Sequence, residues 1–393
     1  IIPVQEAQHM RGSEERVRKA LSHKKPDRTP LFEIFQPFHP IYWDICGRTI
    51  ATDSAMAWDA MADGVSEEEF IEASAVAQYR ICRFFGLDMV RLTGHGYIRN
   101  KRPARAGSRR WTLEGIPYVF NEKTKLVQPE NPTHSYSQQV SEEEIIKKIE
   151  AWDRNAGQPD MHNPVLKRVR EQAEADGIDW VYMAESGAGT GVAFYQPFML
   201  MWMLEKPGMY LRWIEIQKAY AFEQTKQMIE QGCSVMAIGG DVSCDKGPFI
   251  SPDLYHRFIL PVMKEHVNLI HKMGAFAVYT SDGNHWPIKD DFFFNSGIDG
   301  YKEVDKSAGM TWERLFSEGV ADRICIIGNI DARYTMCNAG TTEVEKEVTE
   351  CLNHGLRAKG GHILHLSHSV HEDVKIENYI AVVKTYRRFF GMD

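Results

Sequence analysis

Apolar, β-rich runs of four to eight residues recur along the chain, separated by stretches whose apolar positions return every three to four residues. The first pattern is that of strands covered on both faces, and the second that of helices with one buried stripe. The strand-like runs are Thr29 to Phe35, Asp88 to Thr93, Trp180 to Glu185, Val235 to Asp241, Phe276 to Asp282, Gly297 to Val304, Ile324 to Ile330 and His362 to His368. Helical spacing covers Ser66 to Phe85, Asn163 to Asp176, Met209 to Gln231, Pro252 to Met273, Thr311 to Glu318, Thr342 to Ala358 and Ile376 to Phe390. Thr342 with Glu345, and Ser141 with Glu144, have capping-box spacing, in which hydroxyl and carboxylate satisfy each other's backbone donors. Eight strand-helix units in 393 residues predict an α/β fold, a (β/α)8 TIM barrel with an N-terminal helical extension, rather than a doubly wound sheet.

One segment breaks the alternation. Trp111 to Phe120 reads as a β-hairpin around Glu114-Gly115, so the expectation is one barrel domain over 1–393 with a hairpin insertion at about 97–140, after the second strand. Arg99, Lys101, Arg102, Arg105, Arg109 and Arg110 crowd its first half. Such a run is either a solvated surface or a docking face for an acidic partner.

Barrel enzymes place their chemistry at the C-terminal ends of the strands. Those ends offer Glu33 with Gln36, His95, Glu185, Asp241, Asp282, Glu303, Asn329 with Asp331, and His368. Glu303 and Asp331 are read as helix caps. Carboxylates gathered at one mouth repel each other unless protonated, paired or metal-bound, which makes a cation one expectation. Among the C-terminal histidines, His368 lies where its strand gives out, whereas His362 and His365 are as readily structural. Strand alternation sends His362 and His368 to one face and His365 and His371 to the other. Phe35, Phe38, Tyr42, Trp43, Tyr97, Phe194, Tyr195, Trp202, Tyr279 and Trp286 lie in or near strand-end loops. They would wall a site for a flat ligand, or else join the core.

The chain is 43% hydrophobic and 25% charged with a formal net charge of −8. That is globular composition without a basic field for nucleic acid or an anionic membrane. Seven cysteines are scattered with no Cys-x-x-Cys pair, which reads as reduced structural thiols. Ile1 to Met10 lack a secretory pattern, and no apolar run approaches ~18 residues. The expectation is a cytoplasmic protein.

Several segments together resemble the uroporphyrinogen decarboxylase superfamily. They are Glu15-Arg16-Val17-Arg18-Lys19-Ala20-Leu21 with Lys25-Pro26-Asp27-Arg28-Thr29-Pro30; Gly239-Gly240-Asp241 leading to Lys246-Gly247-Pro248 and Tyr255-His256-Arg257-Phe258; Phe276 to Asn284; and His368 with Glu377-Asn378. The resemblance implies a (β/α)8 barrel and one of two chemistries, porphyrinogen decarboxylation or methyl exchange with a corrinoid. The decarboxylases' arginine pair is missing from Phe32 to Pro40, and their central aspartate is replaced by Leu92-Thr93-Gly94-His95-Gly96. The soft zinc ligands of thiol-methylating members fall at Thr280, Asp282 and His368, leaving an oxygen and nitrogen metal site of Asp282 and His368 with Glu185, or alternatively Asp241, as a further ligand.

The resemblance therefore implies a methyltransferase moving a methyl group from a small methylated substrate, foremost an aromatic methyl ether, to the cobalt of a corrinoid (cobalamin) on a separate protein. This is an O-demethylase component in which zinc is one admissible metal. The expected catalytic residues are His368, Asp282, Glu185 and Asp241, followed by Tyr279 and His95, with Phe35, Gln36, Tyr195 and Trp286 at the substrate. A decarboxylase-like enzyme acting on a tetrapyrrole or small acid, and a non-catalytic ligand-binding or carrier-binding barrel, are the alternatives.

Overall fold

The computed structural model describes residues 12–131, 141–152, 160–187, 189 and 196–392. Eight parallel strands follow one another around a single sheet: β1 (Phe32–Glu33), β2 (Met89–Arg91), β3 (Val181–Gly187), β4 (Val235–Gly239), β5 (Phe276–Thr280), β6 (Gly300–Lys302), β7 (Cys325–Ile327) and β8 (His362–Ile363). Parallel bridges Leu31–Leu364 and Phe35–Val370 join β8 to β1 and close the (β/α)8 barrel. The regular ladders are shorter than the apolar runs, because each run continues past its last paired residue into the loop that carries polar groups.

Period-two alternation sorts the side chains. Phe32, Met89, Val181, Met183, Val235, Ala237, Val278, Cys325, Ile327 and Ile363 fill the barrel interior, and the N-terminal helix Ser13–Leu21 plugs its base with Val17, Ala20 and Leu21. Gly361, at φ +97°, lets that plug seat, since a Cβ there would stand 2.2 Å from the Ala20 carbonyl oxygen. The alternate residues pack outward against the helices.

Ser141 and Glu144 form the expected capping box, and Ser66 with Glu69 forms a second. Thr342 does not cap. Its helix begins at Thr341 behind Gly340 without a side-chain cap. The hairpin is present as Arg110–Leu113 and Ile116–Phe120, but Ala104–Gly107 and Val127–Pro129 extend it to a four-stranded antiparallel sheet. The helix Ser54–Asp63 covers that sheet, with Trp58 packed on Trp111 and Tyr118.

The insertion's basic run is spent internally. Arg99 binds Glu67, Lys101 binds Glu114, Arg105 binds Asp59 and Asp63, Arg109 binds Glu122, and Arg110 binds Glu130. Arg102 donates to the Ala62 carbonyl. A docking face for an acidic partner is not what these charges make. No helix among the described residues is long and apolar enough to cross a membrane.

Candidate active site

The interior rows end in charge at the C-terminal mouth. On β2 and β3, Arg91 and Glu185 continue the inward rows of Met89 and Met183, and their side chains pair at 2.6 Å. On β4 the inward row runs through Gly239, where a Cβ would stand 2.7 Å from Glu185 Oε1. Glycine there makes room for the carboxylate. Asp241, two residues on, is lifted to about 6 first by desolvation, then by the negative charges of Asp282 and Glu303. His368 opposes that rise and Glu185 adds to it. Asp282 is raised by the same burial, with His368 pulling it down and Glu303 and Asp305 pushing it up. These groups share one electrostatic neighbourhood.

A cleft of about 730 Å³ opens beside them, lined among others by Gln36, Asp282, Asp305, Arg333, His368 and His371. The His368 Nδ1 accepts from the Ser369 backbone N–H at 3.2 Å, which places the proton of the neutral ring on Nε2. Arg333 is held by Asp245 at 3.5 Å and Ser307 Oγ at 3.3 Å. Glu303 takes Lys302 Nζ at 2.7 Å and sits at φ +70°, an uncommon conformation for a residue with a Cβ. It is a paired charge rather than the expected helix cap. Asp331 is not a helix cap either: it accepts from Arg333 N and Tyr334 N in the turn that precedes the helix Thr335–Asn338, whose N-cap Tyr334 makes no side-chain bond.

Gln36, Asp282 and His368 thus line the cleft, and Asp241 and Glu185 lie within electrostatic reach of them. Other expected residues among those described do not line the cleft. The Tyr279 hydroxyl donates to the Gly240 carbonyl at 2.9 Å and its ring packs on Phe292, so it points into the layer between strands and helices. His95 lies against Glu67 at 3.2 Å and accepts from Tyr97 N, tying the insertion to the barrel. Phe35 is 5% exposed, stacked on Phe85 and edge-on to Tyr379. Trp286 donates to the Gly309 carbonyl beneath the Arg314 guanidinium. Tyr195 and Phe194 lie outside the described residues. The cleft lining holds no aromatic residue among those described.

Nor do the metal candidates converge: among the described residues no three His, Cys, Asp or Glu side chains are grouped to hold an ion. Glu185 is already engaged by Arg91. Asp282, His368 and Glu185 therefore do not make the expected cage, and no chemical step is routed through one.

His285 is a contributor that sequence reasoning missed. Fully buried and stacked on Phe292 at 4.2 Å, it faces Ser243 Oγ at 2.9 Å and the Ser281 carbonyl at 3.1 Å. It thereby ties the loop that follows Asp241 to the one that holds Asp282. Its signal was the Ser281-Asp282-Gly283-Asn284-His285 sequence, in which the histidine folds back on residue 281. Arg333 was missed because its neighbours come from separate loops.

The uroporphyrinogen decarboxylase (URO-D) family matches residues 181–389. A uroporphyrinogen decarboxylase from Erwinia tasmaniensis is 27% identical over 130 residues, which is 31% of this chain and only 35% of that relative. A methyltransferase from Methanosarcina mazei shares the fold with a TM-score of 0.61 over 96% of this chain and 99% of its own, at 17% identity. The family match covers more than half of the chain and runs from β3 to the last helix, through the strands that deliver Glu185, Asp241, Asp282 and His368, so this protein belongs to the uroporphyrinogen decarboxylase family.

Proposed function

We propose that this barrel is a methyltransferase that removes a methyl group from a small O-methylated compound, foremost an aromatic methyl ether, and passes it to a Co(I) corrinoid carried by a separate protein. The observation that carries this reading is Asp241, a carboxyl group poised at about 6 in a mouth it shares with Asp282 and His368. Displacement at the methyl carbon pushes the C–O electron pair onto a poor leaving oxygen, which needs a proton as the bond breaks. Asp241 supplies that proton, while Asp282 and His368 orient the oxygen. The corrinoid is a second substrate, the acceptor of the methyl group, and the cleft receives the ether.

The acidic mouth weighs against the decarboxylase alternative. A polycarboxylate substrate needs free cations, and the two arginines at hand are already claimed, Arg91 by Glu185 and Arg333 by Asp245. The test is transfer from a panel of methoxylated phenols to Co(I) corrinoid, followed by corrinoid absorbance and by release of the phenol. Demethylation of at least one ether by the wild type, lost in His368→Ala with its fold retained, is expected. Folded protein that demethylates none of them, with divalent metal supplied, overturns the reading.

A further inference from the structure

Beneath the mouth lies a pair of ionisable groups that the proposed chemistry leaves unused. Glu33 and His365 are 3% and 1% exposed, and Glu33 Oε1 stands 3.3 Å from His365 Nε2. The His365 Nδ1 donates to the Leu366 carbonyl, so Nε2 carries a lone pair, and this buried nitrogen has no hydrogen-bond partner as it stands. An unpartnered nitrogen lone pair is costly to bury, and a proton on the neighbouring carboxyl group is what can satisfy it.

The rest of Glu33 is spent on the backbone. Oε1 accepts from Ile34 N on its own strand at 2.9 Å, and Oε2 accepts from Leu366 N of the last strand at 3.4 Å. The Phe32 ring stacks on His365 at 4.9 Å and closes the site from one side. Gln36 follows Glu33 into the cleft, and Ser367 and His368 follow His365 into it. The pair therefore sits at the seam where the barrel closes, one layer below the reacting groups.

We infer that Glu33 and His365 share a single proton and form a neutral clasp between β1 and β8, a positioning device that fixes His368 at the mouth. The inference deepens the proposed function, on which the role of His368 rests. Burial pushes Glu33 up to about 8 and His365 well below its usual range, so the shared proton stays on the carboxyl group. The charged or titratable neighbours are Lys302 of β6, which favours the ionised carboxylate but is itself bound to Glu303, His368 beyond His365, and Tyr379 of the last helix.

Two variants test this on the full chain against the wild type: Glu33→Gln and Glu33→Ala. The Gln amide N–H can donate to His365 Nε2, though it gives up the Ile34 N–H bond that Oε1 accepts, so E33Q is expected to restore part of the turnover that E33A loses, a loss of about 10²-fold through misplacement of His368. Wild-type turnover is expected to break downward near pH 8, and E33Q to lack that break.

The second readout needs no activity. A carboxyl group whose folded value lies above its unfolded one holds a proton that the unfolded chain has already lost, so wild-type stability falls between about pH 4.5 and 8 and levels above. The melting temperature of E33Q relative to wild type is expected to climb over that range and then flatten. A difference that stays constant from pH 5 to 9 would show Glu33 ionised throughout and overturn the clasp. A climbing difference with full turnover in E33A would overturn the positioning role. Should the wild type transfer no methyl group, the functional reading fails while the melting curves still decide the shared proton.

Discussion

Replacing Asp88 with Asn tests why the N-terminal signature is charged. Asp88 is fully buried. Its Oδ1 accepts from Ser13 Oγ at 2.8 Å, Arg16 Nη1 at 2.6 Å and Arg28 Nη2 at 2.9 Å, and its Oδ2 from Arg28 Nη1 at 2.7 Å and Leu31 N at 2.9 Å. One carboxylate thus fastens the plug helix, the strand entering at Leu31 and the start of β2. Asn keeps the shape but removes the charge and offers N–H donors where acceptors are required. Losing one partner of a buried ion pair costs about 3–5 kcal/mol, because the remaining charges stay desolvated. The lower end applies here, since Arg16 retains Asp27 and Arg28 retains the Tyr386 hydroxyl. With an unfolding entropy of ~2.1 cal/mol/K per residue, a chain of this length should melt roughly 3–4 °C lower. Thermal unfolding of D88N against wild type is the assay. A shift below about 1 °C, well under what one lost buried partner should cost, would refute the reasoning.

Three further perturbations separate chemistry from scaffolding. Because Asp241 sits at about 6, the acid it supplies is present below that value and down to about a tenth at pH 7. Turnover should therefore fall as pH rises through 6, and D241N should lose both that limb and about 10²–10⁴-fold in kcat; a profile unchanged in D241N would assign the proton elsewhere. Gly239→Ala pushes a Cβ against Glu185 Oε1, so the carboxylate should swing, Asp241 should titrate at a different pH, and melting should hardly change; an unaltered pH profile would count against this coupling. Arg105→Ala breaks exposed pairs with Asp59 and Asp63 and should hardly move the urea unfolding midpoint; a clear drop would make the insertion's ion pairs a cooperative network.

The strands were legible because each is covered on both faces, and an apolar run of the right length between helical periods has few other readings. The acids at their ends were legible for the same reason, since Glu185, Asp241 and Asp282 continue inward rows that the apolar residues begin. What the run of residues concealed is pairing across distance. Arg16 and Arg28 read as a family signature, but their meaning is Asp88, 72 and 60 residues away. The basic run at Arg99 to Arg110 reads as a free surface only until the acids of the helix Ser54–Asp63 and of the neighbouring strands are folded onto it. Glu33 reads as a strand-end acid for the mouth, yet the seam between β1 and β8 captures it below.

The aromatic residues show how the same alternation that reveals a site can mislead about its walls. Phe35 shares parity with Leu31, and Tyr279 lies between the inward Val278 and Thr280, so both belong to the outward rows and pack against helices. Proximity to a strand end says nothing about facing until parity is counted from the interior residues. Counted that way, the mouth receives charge and hydrogen-bonding groups, and its described lining is acidic. An acidic lining repels anionic substrates and raises its own carboxyl groups, and Asp241 is raised by Asp282 and Glu303 in this way. The repulsion that would make these acids a poor cradle for a polycarboxylate adds to burial in keeping a proton on Asp241. Substrate exclusion and proton retention at this mouth therefore share a cause beside burial, and neutralising Asp282 or Glu303 should weaken both together.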